Sequence, residues 1–89
     1  MAAMDFSNRH QSVQHLLRLL EPNPRLDGIA ADVSVEFQAT AHSITSLCQD
    51  GPELTVALRK LLEAKDCAVR QALLDSGALG DTGKEGSNL

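Results

Sequence analysis

The stretch ELTVALRKLLEAKDCAVRQALLDSG, residues 53–77, decides the fold. Placing residues about 100° apart around a helix axis puts Leu54, Leu61 and Ala72 at the centre of one apolar stripe, flanked by Ala57, Leu58, Ala68 and Val69. Nearly opposite runs a thinner stripe of Val56, Cys67 and Leu74. Lys65 falls in the middle of the main stripe, where its methylenes can follow apolar surface and carry the ammonium to the edge. Asp50, followed three places later by Glu53, reads as an acidic capping box. Pro52 suits a first helical turn, and Gly77 suits a left-handed terminal position. The spacing therefore predicts a helix over residues 52–76, about 36 Å long. A helix that merely covers a small core needs one apolar face. Two stripes predict burial against a neighbouring helix on one side and a second subunit on the other.

Working back along the chain, Val33, Phe37, Ile44 and Leu47, with Ala30 and Ala41 beside them, keep helical spacing and predict a second helix over 29–48. The break CQDGPE between the two helical patterns makes them an antiparallel hairpin. Val13, Leu16, Leu17 and Leu20 predict a short first helix over about 8–21, capped by Ser7 or Ser12 and stopped by Pro22. The connector PNPRLDG, residues 22–28, is rich in turn formers. Residues 1–7 read as a loose start, and GALGDTGKEGSNL, 77–89, as a disordered tail. No strand alternation is found. The expected fold is all-α: one helical domain over 1–75, a short N-terminal helix and a long two-helix hairpin, assembling as an oligomer. Chains this short often need association for stability.

The 89 residues carry 8 Lys+Arg against 12 Asp+Glu, a net charge of −4. Duplex binding needs a positive footprint to neutralise phosphates, so DNA is not an expected partner. A small anion held by a few focused arginines remains compatible with an acidic chain. No segment is apolar for long enough to span a bilayer or resemble a secretion signal, which points to the cytoplasm and to no membrane partner. Cys48 and Cys67 lack metal-ligand spacing and are expected as buried thiols. His10, His15 and His42 lack the spacing that places two imidazoles on one helical face, and are expected as surface or cap residues. No positioned acid, base, nucleophile or nucleotide-binding glycine loop is evident, so binding without catalysis, cofactor or metal is expected. Arg59, Glu63, Asp66 and Arg70 form a charged strip whose 59/63 and 66/70 spacings suit surface ion pairs of about 0.2–0.5 kcal/mol each.

Beyond periodicity, GPELTVALRKLLEAKDCAVRQAL, residues 51–73, resembles the hairpin domain of the anti-CBASS family of bacteriophage cyclic-nucleotide sponges, a hairpin that recurs in anti-Thoeris sponges. Glu53, Thr55, Ala57 through Ala64, and Ala68 through Arg70 carry the resemblance. It extends through the spacing of residues 33–48 and, more loosely, through SVQHLLRLLE to cover about 12–75. The resemblance implies an all-α homohexamer in the cytoplasm of an infected bacterial host. Such an assembly would sequester cyclic di- and trinucleotide immune messengers at subunit interfaces without cleaving them. It implies phosphate-holding roles for Arg59 and Arg70. The family's connector aromatic and its lysine at the start of the second helix are absent; Arg25 in the connector and Phe37 as the nearest stacking face are the candidates there. The competing expectation is an oligomeric helical adaptor or structural phage protein that binds another protein through the same stripes.

Overall fold

The computed structural model describes residues 5–77, which form helices, their connections and short segments before the first and after the last helix, with no strand. Three helices follow one another: α1 (Gln11–Leu19), α2 (Gly28–Leu47) and α3 (Pro52–Asp75). The expected tail lies outside the described residues apart from Gly77, whose φ of 82° gives α3 its left-handed terminator. Helices α2 and α3 pair along their length as the hairpin, and α1 lies mainly on α3, with a smaller contact to α2.

The core forms where the three helices meet. Val13, Leu16, Leu17 and Leu20 are buried with Ala41 of α2 and with Leu54 and Leu58 of α3. Phe6, Phe37, Ile44, Leu61 and Leu62 pack around them, half-buried. Fully burying a leucine contributes about 1.5–3 kcal/mol, so Val13, Leu16 and Leu17 of α1, with Leu20 just after it, explain why a nine-residue helix, too short to persist alone, is held here. The segment before α1 is not loose throughout. Phe6 packs against the core, and its ring meets that of His42 at 5.3 Å in a tilted arrangement.

Helix α2 buries Ala30 and Ala41 of the expected face and packs Phe37 and Ile44 half-buried against the core, but it adds two polar residues and leaves out Leu47. Ala30, Ser34, Ala41 and Thr45 are the buried residues, whereas Leu47 is 87% exposed. The four buried side chains are small and recur at helical spacing, so they form one line along α2, the helix that pairs with α3. Leu47 comes two residues after Thr45, about 200° around the axis, and is turned away from the hairpin. The hydroxyls of Ser34 and Thr45 have no hydrogen-bond partner among the described residues.

Two helix beginnings also differ from expectation. His10, rather than Ser7 or Ser12, caps α1: its Nδ1 accepts the Ser12 N–H at 3.1 Å. Gly51 caps α3 without a side-chain bond, because the carboxylate of Asp50 is engaged elsewhere. One Asp50 oxygen accepts the Arg9 Nε–H at 2.7 Å and the other accepts the His10 N–H at 2.6 Å. The His10 amide and then the Arg9 guanidinium hold the Asp50 carboxyl below the usual carboxylate range. The same guanidinium donates to the carbonyls of Thr45 at 2.8 Å and Cys48 at 2.7 Å. Those carbonyls belong to the end of α2, where no intrahelical donor remains. Arg9 thus finishes α2 while joining it to the start of α1.

Lys65 resolves the anomaly of a charge in an apolar stripe. It is 8% exposed, and its ammonium stays inside, donating to the carbonyls of Leu19 and Glu21, each at 3.0 Å. The C-terminus of α1 ends over this part of α3 and presents carbonyls that need donors. A cation there satisfies them and matches the negative end of the helix dipole.

Candidate anion-binding cleft

Lys65 leads into a cleft of about 430 Å³ between the connector and the second half of α3. Val69 and Leu73 of α3 and Leu26 of the connector supply its apolar wall; Asn23, Lys65, Asp66 and Arg70 supply its polar groups. The α3 contributors recur every three or four residues and therefore share one face. The connector is fixed by its own turn chemistry. The Asn23 side-chain oxygen accepts the Arg25 N–H at 2.9 Å, and the Asn23 carbonyl accepts the Leu26 N–H at 3.0 Å. Pro24 between them presets the turn. Asn23 and Leu26 are consequently held in place, and the Asn23 amide nitrogen keeps both its donors.

The electrostatics of this cleft differ from a neutralised surface strip. Among the described residues the one ion pair is Arg9 with Asp50, so the expected pairs 59/63 and 66/70 do not close. Arg70 is exposed with its guanidinium free, and Lys65 is buried with no carboxylate within ion-pair distance. Two cations and one carboxylate, Asp66, line the α3 side of the cleft. This combination of charged donors on an apolar wall, within the usual size range of small-ligand pockets, suits an anion with an apolar or aromatic part.

Of the four residues proposed from sequence, Arg70 lines this cleft. Arg25 is exposed on the connector turn next to it but is not one of its lining residues. Arg59 is exposed on α3, eleven residues or about 16 Å of helix before Arg70, so one protomer does not bring both to one phosphate. Phe37 is half-buried against the core, which uses much of the ring that was expected to stack on a base. Sequence reasoning missed Lys65 and Asn23 as site residues. The signal was present for Lys65, as the single charge in the best apolar stripe, and absent for Asn23, whose place depends on how the connector folds.

Two further hollows, each of about 380 Å³, lie elsewhere. One has His10, Ser12, Asp50 and Thr55 in its wall at the junction of α1 and α3; the other has Phe6, Arg18, Gln38 and His42 between α1 and α2. Cys48 and Cys67 are both free and exposed, contrary to the expected burial. Cys48 follows the last turn of α2, and Cys67 belongs to the thinner α3 stripe, where Val56 is also exposed and Leu74 is half-buried. Among the described residues no group of three His, Cys, Asp or Glu side chains is placed to hold a metal ion, and no helix is long and apolar enough to cross a membrane. Compared with known protein families, characterised proteins and solved structures, the chain shows no significant match.

Proposed function

We propose that this protein binds cyclic di- and trinucleotides at subunit interfaces and sequesters them without cleavage, countering bacterial antiphage signalling in the cytoplasm of an infected host. The observation that carries the reading is Arg70: a guanidinium with no ion-pair partner among the described residues, lining a ligand-sized cleft together with a buried ammonium. Guanidinium meets phosphate with two parallel hydrogen bonds, and the apolar wall of Leu26, Val69 and Leu73 offers a base or ribose a dry surface. The likeness of residues 51–73 to the sponge hairpin supplies the cyclic ligand class and the homohexamer.

Assembly completes the picture. The cleft is open to one side, so one protomer covers only part of a ring-shaped ligand and a second subunit must cover the rest. Val56 is 40% exposed and Cys67 is exposed on the thinner stripe, where a neighbour would bury them. Calorimetry of the purified oligomer against a panel of cyclic di- and trinucleotides tests the proposal. We expect binding to at least one of them, weakened about tenfold or more by Arg70→Ala with the oligomer intact. Heats equal to dilution across the panel would refute it.

A second reading, an oligomeric adaptor for another protein, is favoured by Ile29 and Leu47, 65% and 87% exposed near the two ends of α2. Native mass spectrometry of protein purified from signalling cells separates the two readings. A nucleotide-sized bound mass supports the sponge, and a stoichiometric protein partner supports the adaptor.

A further inference from the structure

We infer that Lys65 is a ligand-binding residue as well as a structural one: with Arg70 and the Asn23 amide it forms a subsite for a single phosphate group, and occupancy of that subsite tightens the docking of α1. This deepens, and rests on, the reading of the cleft as an anion site.

An ammonium has three N–H donors. Two of those on Lys65 go to the carbonyls of Leu19 and Glu21, and the third has no acceptor among the described residues. The side chain is 8% exposed and forms no ion pair among the described residues, yet it lines an open cleft. Burying a cation without a counter-charge is unfavourable, and an anion arriving through the cleft supplies one together with the missing acceptor. Arg70, five residues on and about 140° around α3, also lines the cleft and carries a second charge to it, and Asn23 adds neutral donors from the opposite wall. Asp66 opposes them with one negative charge, which limits the site to a singly or doubly charged group and disfavours a run of phosphates.

The Lys65 ammonium is already the cap of α1, so a ligand bonded to it is bonded to the fold. A phosphate that fixes the ammonium also fixes the two carbonyls it holds. By linkage, the docked state of α1 and the bound state of the cleft favour each other. A free phosphate and a phosphodiester of a cyclic nucleotide present the same group, so inorganic phosphate is a fair probe of the subsite alone.

The test is heteronuclear NMR of the full-length protein titrated with sodium phosphate, against sodium chloride at matched ionic strength. We expect saturable shifts at the Lys65 ammonium, the Arg70 guanidinium and the Asn23 side-chain amide. Amide exchange at Leu19 to Glu21 should slow as the site fills. Arg70→Gln, an exposed change that leaves the core intact, should weaken phosphate about tenfold or more, and Lys65→Met should abolish the shifts at Asn23 and Arg70. Shifts at Arg70 with the Lys65 ammonium unmoved in the wild type overturn the inference, whether or not the Lys65→Met variant folds. Saturable phosphate binding at Lys65 without cyclic-nucleotide binding supports this subsite while refuting the sponge. Cyclic-nucleotide binding with no phosphate response at Lys65 refutes the subsite alone.

Discussion

Replacing Arg9 by Met removes a guanidinium and keeps a side-chain stem of similar reach. Three contacts go with it: the bond to Asp50 and those to the carbonyls of Thr45 and Cys48. Thr45 is fully buried, so its carbonyl is poorly placed to recover a partner from water, and that charged bond is worth about 1.5–3 kcal/mol. Cys48 is exposed and its carbonyl rehydrates, which reduces its bond to about 1 kcal/mol or less. The expected loss from the two carbonyls is therefore about 2–4 kcal/mol. At about 0.05–0.15 kcal/mol per residue, a domain of this size has roughly 4–11 kcal/mol in all, so the change removes a large share. Each kcal/mol moves Tm by about 4–8 °C in a small domain, which puts the expected drop at about 8–32 °C. Circular dichroism melts of Arg9→Met, with the exposed Lys60→Met as a surface control, measure it. A Tm within about 3 °C of wild type would refute the reasoning, because it would mean that the end of α2 does not depend on this cation.

Asp50 titrates below the usual carboxylate range when folded, so its contribution is present above about pH 3.9 and is lost as pH falls through that value toward the lower folded one. Melts recorded between pH 5 and pH 2 should decline more steeply for wild type than for Asp50→Asn; parallel curves would contradict the Asp50 contacts. The unpartnered hydroxyls of Ser34 and Thr45 should be dispensable, so Ser34→Ala and Thr45→Val are expected to be neutral or stabilising by up to about 1 kcal/mol in urea unfolding. A loss above about 1 kcal/mol would reveal a partner for them. If the proposed assembly buries the thinner α3 stripe, Val56→Glu combined with Leu74→Glu should dissociate it and leave helicity largely intact, because a carboxylate buried between subunits without a partner costs several kcal/mol. Light scattering that shows an unchanged assembly would remove the thinner α3 stripe as an interface.

Much of the fold was legible because the 3.6-residue period is strong in α1 and α3. Their buried leucines and the Gly77 terminator are those expected from pattern alone. The α2 face was read less well. Hydrophobicity ranks Leu47 above Ser34 and Thr45, yet the distance between two paired helices is set by side-chain size, and the small residues took the buried line. The capping box at Asp50 failed for a related reason. Its carboxylate found stronger donors in Arg9 and His10, about forty residues earlier in the chain, which no local window contains. The cleft has the same origin. Arg70 was visible as an arginine without an obvious core role, whereas Lys65 and Asn23 became its neighbours only once the connector crossed α3. Long-range contacts assembled the site, and only one of its polar residues was recognised beforehand.

The two cations that finish distant helices also set an order of folding. Arg9 reaches carbonyls 36 and 39 residues away, and Lys65 reaches carbonyls 44 and 46 residues away. The α2–α3 turn, in contrast, closes over a few residues. Loop-closure entropy has to be overcome before long-range bonds contribute, so the hairpin forms first and α1 is sealed onto it last, at both ends. The N-terminal third of the chain is then the first part to open in the native state, and its amides should exchange ahead of those in the hairpin.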